Sequence, residues 1–147
     1  MIVATPKFKK GKAMSTKITT TGVHHIRLIV TDPIRSRDFY TSLLNFTVAA
    51  ELPPGFVLTN GDMLLGMTSP WDESQALSND RFSPNRVGLD HLSFSVANRD
   101  ELHKAAALFE EHGVEHGEVR DLPPFGITIL SFSDPDGIQC ELTAPLE

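Results

Sequence analysis

The sequence predicts an α+β fold assembled from two copies of one unit of strand, helix and three strands. Three observations predict it: an internal repeat, an alternating strand that runs into a helix start in each copy, and a turn signal before each copy's last strand. Gly22-Val-His-His-Ile-Arg-Leu-Ile-Val-Thr-Asp32 lies over Gly88-Leu-Asp-His-Leu-Ser-Phe-Ser-Val-Ala-Asn98 at a displacement of 66 residues. Glu51-Leu-Pro-Pro54 recurs as Asp121-Leu-Pro-Pro124, displaced by 70, and Gly66-Met-Thr-Ser-Pro70 as Glu141-Leu-Thr-Ala-Pro145, displaced by 75. Three matches in unchanged order define modules over residues 22–70 and 88–145, joined by a linker over 71–87.

In chain order, residues 1–21 carry five lysines and no apolar run long enough for a membrane span, and read as a flexible arm. Val23–Val30 and Leu89–Val96 alternate as strands, which sets His25, Arg27 and Ile29 on one face and His24, Ile26 and Leu28 on the other. Asp32 before Pro33 is an N-cap with proline at the first helical position, and Asn98 with Glu101 resembles a capping box. Phe39, Tyr40, Leu43 and Leu44 give the first helix an apolar stripe. Leu102, Ala105, Ala106 and Phe109 do so for the second, before Gly113 ends it. Short strands are expected around Thr47–Glu51, Phe56–Thr59 and Met63–Thr68, and again around Glu118–Arg120, Ile127–Phe132 and Ile138–Thr143. Asn60-Gly61-Asp62 and Asp134-Pro-Asp-Gly137 supply the turns before the last strands. The stretch SPWDESQALSNDRFSPNRV, rich in Ser, Asn, Pro and Asp, is long for a plain connection and could cover a cavity. Trp71 within it is either a lid residue or pinned on the outer surface.

Composition narrows the function. With 147 residues, one cysteine and a net charge of -6, the chain reads as one ordinary globular domain, and its acidity disfavours nucleic acid or an anionic membrane as partner. A small molecule fits better. Nothing calls for an oxidising compartment, so a cytoplasmic location is expected.

The repeat itself selects candidate ligands. His25 and His91 occupy the same place in the two copies, and Glu141 lies in the last strand of the second, where a neighbouring strand would put it on the same face. Two imidazoles and one carboxylate suit a divalent transition metal that keeps positions free for water or substrate. A pseudo-twofold between the sheets would bring the histidines together. Arg27, two residues from His25, should face the same cavity and bind a carboxylate, phosphate or enolate oxygen, or else pair with a protein carboxylate such as Glu141. Glu141 and Arg27 are therefore the candidate catalytic residues. Ser93 and Ser95 share the face of His91, whereas Cys140 has the opposite parity to Glu141 and reads as a packed thiol. His24, His103, His112 and His116 are given solvated or capping roles.

Gly22–Asp32 with Ser36, Phe39-Tyr40 and Leu44-Asn45-Phe46, then Asp90–Val96, then Asp134-Pro-Asp-Gly-Ile-Gln-Cys-Glu-Leu142 resemble the vicinal oxygen chelate superfamily of glyoxalases, bleomycin-resistance proteins and extradiol dioxygenases. The resemblance covers nearly everything after the arm. It implies two βαβββ modules forming a cupped mixed sheet around a metal site, helices on the outer face, and ligands at His25, His91 and Glu141. The metal would be Fe, Mn, Ni, Zn or Co. Members with lactoylglutathione lyase activity place a fourth ligand where this chain has Gly66, so a three-ligand set is expected here. The implied function is a divalent-metal-dependent enzyme acting on a small oxygen-chelating molecule as a lyase, isomerase, transferase or ring-cleaving dioxygenase. The competing reading is a metal-independent binding or sequestration protein of the bleomycin-resistance type. A homodimer is the expected assembly, with modules paired within a chain or by domain swapping.

Overall fold

A computed structural model describes residues 17–147, so most of the expected arm, up to residue 16, lies outside the described residues. The first module runs β1 (His25–Ile29), α1 (Pro33–Leu43), β2 (Thr47–Leu52), β3 (Gly55–Thr59) and β4 (Leu64–Thr68). The second runs β5 (Leu92–Ser95), α2 (Arg99–Glu111), β6 (Arg120–Leu122), β7 (Ile127–Ser133) and β8 (Gln139–Pro145). Each module closes one four-stranded mixed sheet, ordered β1-β4-β3-β2 and β5-β8-β7-β6, with the first strand parallel to the last. This is the expected α+β architecture of two βαβββ units. The sixth strand falls two residues later than expected, on the Arg-Asp-Leu that precedes the Pro123–Phe125 turn.

Local chemistry sets the helix ends. The Asp32 carboxylate accepts from the backbone N–H groups of Ile34 and Arg35 at 3.0 and 3.1 Å, filling two donors that the first helical turn leaves unpaired. Asn98 caps α2 by accepting from the N–H of Glu101, but the Glu101 side chain turns to Lys104 instead of completing a capping box. At the other end Gly113 takes φ 66°, and Val114 N–H reaches back to the Phe109 carbonyl at 2.9 Å. That left-handed stop is inexpensive only for glycine.

The sheets meet through their helix-covered faces. Tyr40 of α1, fully buried, crosses to the second module and donates from its hydroxyl to the Asp134 carboxylate at 3.1 Å, with the Cys140 sulfur 3.7 Å away. Phe39 stacks on Phe132, and Phe46 packs edge-on against Phe94, so one apolar core serves both modules. The Thr31 N–H and hydroxyl and the Arg35 guanidinium all donate to Asp136, tying the end of the first module to the β7–β8 turn. The consequence is positional. β1 and β5 stay as sheet edges, and the sheet faces away from the helices remain open.

Candidate metal centre

Strand alternation distributes the candidate residues between those two open faces. His25 and Arg27 are exposed on the first sheet, while Ile26 and Leu28 turn inward. In the second, Glu141 stands on the open face in register with Ser93 on one side and Ser131 on the other, while Cys140 and Leu142 enter the core. Burial pushes the Cys140 thiol up to about 12, as befits a packed, unreactive sulfur.

His91 and Glu141 are brought together. The His91 Nε2 lies 3.0 Å from the Glu141 Oε1, and its Nδ1 lies 2.6 Å from the Asp90 Oδ1. The bond to Asp90, reinforced by attraction to Glu141, outweighs partial desolvation and raises the His91 pKa above the usual imidazole value. His91 and Glu141 would be two of the residues that hold a metal, supplying one imidazole nitrogen and one carboxylate. These two residues border a recess of about 420 Å³ whose wall also holds Asp90, Glu115, His116 and Ser131. Three carboxylates around two imidazoles suit a cation and disfavour a free anion.

His25 is not brought to them. It stands on the other sheet, its Nδ1 2.9 Å from the Nδ1 of His24, and among the described residues no group of three or more His, Cys, Asp or Glu side chains stands close enough to hold a metal. Within one chain the helix sides of the two sheets come together and the histidine sides stay apart. The register nevertheless confirms the equivalence of the copies. Arg27 pairs with Gly66 across β1 and β4, as Ser93 pairs with Glu141 across β5 and β8. Gly66 therefore occupies the position of Glu141 and offers no ligand. A side chain there would meet the stem of Arg27, 3.2 Å from its Cγ.

Arg27 forms no ion pair among the described residues, and its guanidinium lies over the Trp71 ring, 4.7 Å from the centroid. Trp71 is thus the exposed linker residue that braces Arg27 on the open face. Ser93 is taken up by the Thr143 hydroxyl. His24 departs from the expected helix side because β1 begins only at His25, and alternation does not govern a residue ahead of the strand. His116, read as solvated, instead lines the recess beside His91, where Glu115–Gly117 runs along β7 through the His116–Phe132 bridge. No periodicity marks so irregular a segment, and Asp90 could have been found only by aligning it with His24 in the repeat.

This fold defines a class of protein. The sequence profile of the Glyoxalase/Bleomycin resistance protein/Dioxygenase superfamily matches residues 22–142, and the chain belongs to that superfamily. It is 33% identical over 128 residues to the uncharacterized protein YaeR of Escherichia coli (strain K12), covering 82% of this chain and 93% of YaeR. It is 28% identical over 134 residues to the putative ring-cleaving dioxygenase MhqA of Bacillus subtilis (strain 168), covering 86% of this chain and 41% of MhqA. The crystal structure of a glyoxylase/bleomycin resistance protein/dioxygenase domain from Frankia sp. EAN1pec superposes with a TM-score of 0.74 at 26% identity, covering 88% and 95% of the two chains.

Proposed function

We propose that the protein is a divalent-metal-dependent enzyme whose centre is shared between two copies of the chain: His25 from one, His91 and Glu141 from the other. The observation that carries this reading is the split itself. His91 and Glu141 form a preassembled pair on one open face, and His25, at the repeat-equivalent position, waits on another. Two features support a second copy as the missing half. Among the described residues β1 and β5 are edge strands, each bonded to a neighbour on one side only. The residues leading into them, Val23 and Leu89, are 73% and 39% exposed, and linker residues Leu77 and Val87 are bare as well. In a twofold dimer the β1 edge of one copy meets the β5 edge of the other at two equivalent places, giving two centres.

The donor set fits a transition metal of the Fe, Mn, Ni, Zn or Co class. Two neutral imidazole nitrogens and one carboxylate leave up to three positions open, enough for two neighbouring oxygens of a small molecule. When bound, the metal would polarise those oxygens as a Lewis acid or, as Fe(II), bring dioxygen beside them. The chain's own part is to orient and to neutralise. Arg27, two residues from His25 on the same face, would pair its guanidinium with an anionic substrate oxygen, and Trp71 holds that guanidinium in place. Gly66 keeps the fourth protein position empty, which supports a reaction needing several open sites, such as the ring cleavage named for MhqA, over a four-ligand lyase.

Metal analysis of protein purified without chelator tests the reading, together with light scattering across a wide concentration range. Bound metal in a dimer is expected, with loss of most affinity in His25→Ala, His91→Ala and Glu141→Ala. A chain without metal, whose melting temperature is unmoved by Mn(II), Fe(II), Ni(II) or Zn(II), would instead be a sequestration protein.

A further inference from the structure

We infer that His24 and Asp90 are a matched pair of positioning residues, each fixing the ring of the histidine that follows it so that Nε2 is presented to the metal. This rests on the metal reading above and adds a role to two residues outside the ligand set.

The repeat places His24 directly before His25 and Asp90 directly before His91. In both copies the preceding side chain takes the same ring atom: His24 Nδ1 lies 2.9 Å from His25 Nδ1, and Asp90 Oδ1 lies 2.6 Å from His91 Nδ1. Both contacts engage Nδ1 and not Nε2, and for His91 the Nε2 atom already faces Glu141 at 3.0 Å. A ligating imidazole that donates its second N–H to a fixed acceptor has its tautomer and its orientation decided in advance. His24 adds an edge-on contact, with ring centroids 5.2 Å apart and planes at 86°, which restricts rotation of His25.

The two braces differ in strength. Asp90 offers an anionic acceptor, which makes the His91 nitrogen a better donor to a metal, whereas His24 offers a neutral one through the lone pair of its unprotonated Nδ1. The half-site that already owns Glu141 therefore also owns the stronger imidazole. Metal should load first on His91 and Glu141, with His25 completing the set.

The test is the Ni(II) dissociation constant at pH 8, measured by competition with a chromophoric chelator for folded wild type and variants matched in circular dichroism. Asp90→Asn should weaken binding by about 10–100-fold, the usual effect of losing such a partner. His24→Leu should weaken it severalfold. His24→Gln, whose amide oxygen can still accept from His25 Nδ1, should restore most of that loss. The decisive variant is His24→Asp, which gives the first copy the brace of the second and should bind more tightly than wild type. In the Co(II)-loaded protein, the Nδ1–H proton resonances of the two ligand histidines should shift separately with Asp90→Asn and His24→Gln. Equal loss in every His24 variant, including Gln and Asp, would mean that residue 24 acts through local packing and not through an acceptor for His25 Nδ1, and would overturn the inference. Unchanged affinity in Asp90→Asn would overturn it as well. If wild type binds no Ni(II), the shared centre fails and this inference fails with it. Binding by wild type with flat variants sinks only the inference.

Discussion

Mixing two damaged proteins should repair a shared centre, and the amount of repair follows from symmetry. In His25→Ala dimers both centres lack the same imidazole, and in His91→Ala dimers both lack the other. In a mixed dimer, one centre takes His25 from the His91→Ala chain and His91 with Glu141 from the His25→Ala chain, so it is complete. The second centre collects both alanines. Random reassortment of equal amounts makes about half of all dimers mixed, each with one of its two centres whole, so about a quarter of the wild-type sites should return. The assay is co-refolding of differently tagged variants, tandem purification of the mixed dimer, and metal titration. The purified mixed dimer should hold half the wild-type metal, one ion per two chains. Thermal melting gives a second readout, because a site filled at 1,000 times its dissociation constant stabilises the fold by about 4 kcal/mol. If a verified mixed dimer binds no better than its parents, the ligands do not come from different chains, and the two open faces have another purpose.

Other consequences are independent of that assembly. Tyr40→Phe removes the hydroxyl that bonds Asp134 inside the shared core and should cost about 1–3 kcal/mol in denaturant unfolding, the usual toll of an unsatisfied buried acceptor. Burial, aided by Asp136, raises the Asp134 pKa against the pull of its hydrogen bonds, so the native state holds this proton more tightly than the unfolded chain does. The associated stability is present below the unfolded pKa and is lost as pH rises through the folded one. Asp134→Asn, which keeps an acceptor for the N–H groups of Asp136 and Ile138, should therefore gain in melting temperature relative to wild type as pH rises from acid to neutral, and a gap independent of pH would refute the assignment. Cys140, buried and with its thiol pushed up to about 12, should resist alkylation at pH 8 in the native protein and react once it is unfolded. Gly66→Glu would place a carboxylate where the register puts the counterpart of Glu141, displacing only the flexible stem of Arg27. Metal affinity should rise and native activity fall, and unchanged affinity in the folded variant would mean that residue 66 does not face the metal.

The sequence was most informative wherever a local rule applied. Alternation put His25 and Arg27 on one face and sent Cys140 inward, and the structure agrees because each of these residues sits inside a strand. The caps at Asp32 and Asn98 and the stop at Gly113 were legible because side chain and backbone meet within four residues. Long-range pairing was not. Tyr40 belongs to an apolar stripe that any sheet could cover, and nothing in its neighbours announces a bond to Asp134 in the second copy. For the same reason a pattern that puts both histidines on open faces does not say whether those faces look at each other. His24 and His116 were misplaced because they lie just outside regular elements, where periodicity carries no information.

The differences between the copies bear on how two chains would meet. At equivalent positions the first copy carries His24, Arg27 and Gly66, and the second carries Asp90, Ser93 and Glu141. The first open face is thus uncharged or cationic around its histidine, while the second is anionic, with Glu115 adding to it along the recess wall. Joining two second-copy faces would oppose Asp90, Glu115 and Glu141 to their own duplicates, a like-charge arrangement that costs affinity and slows association. Joining two first-copy faces would oppose Arg27 to Arg27 and leave both pairs of His91 and Glu141 without a third ligand. Only the crossed pairing sets Arg27 opposite carboxylates and completes three donors in the same step. The differences between the copies, a glycine at 66 and a cation at Arg27, thereby favour the crossed pairing that the proposed metal centre requires.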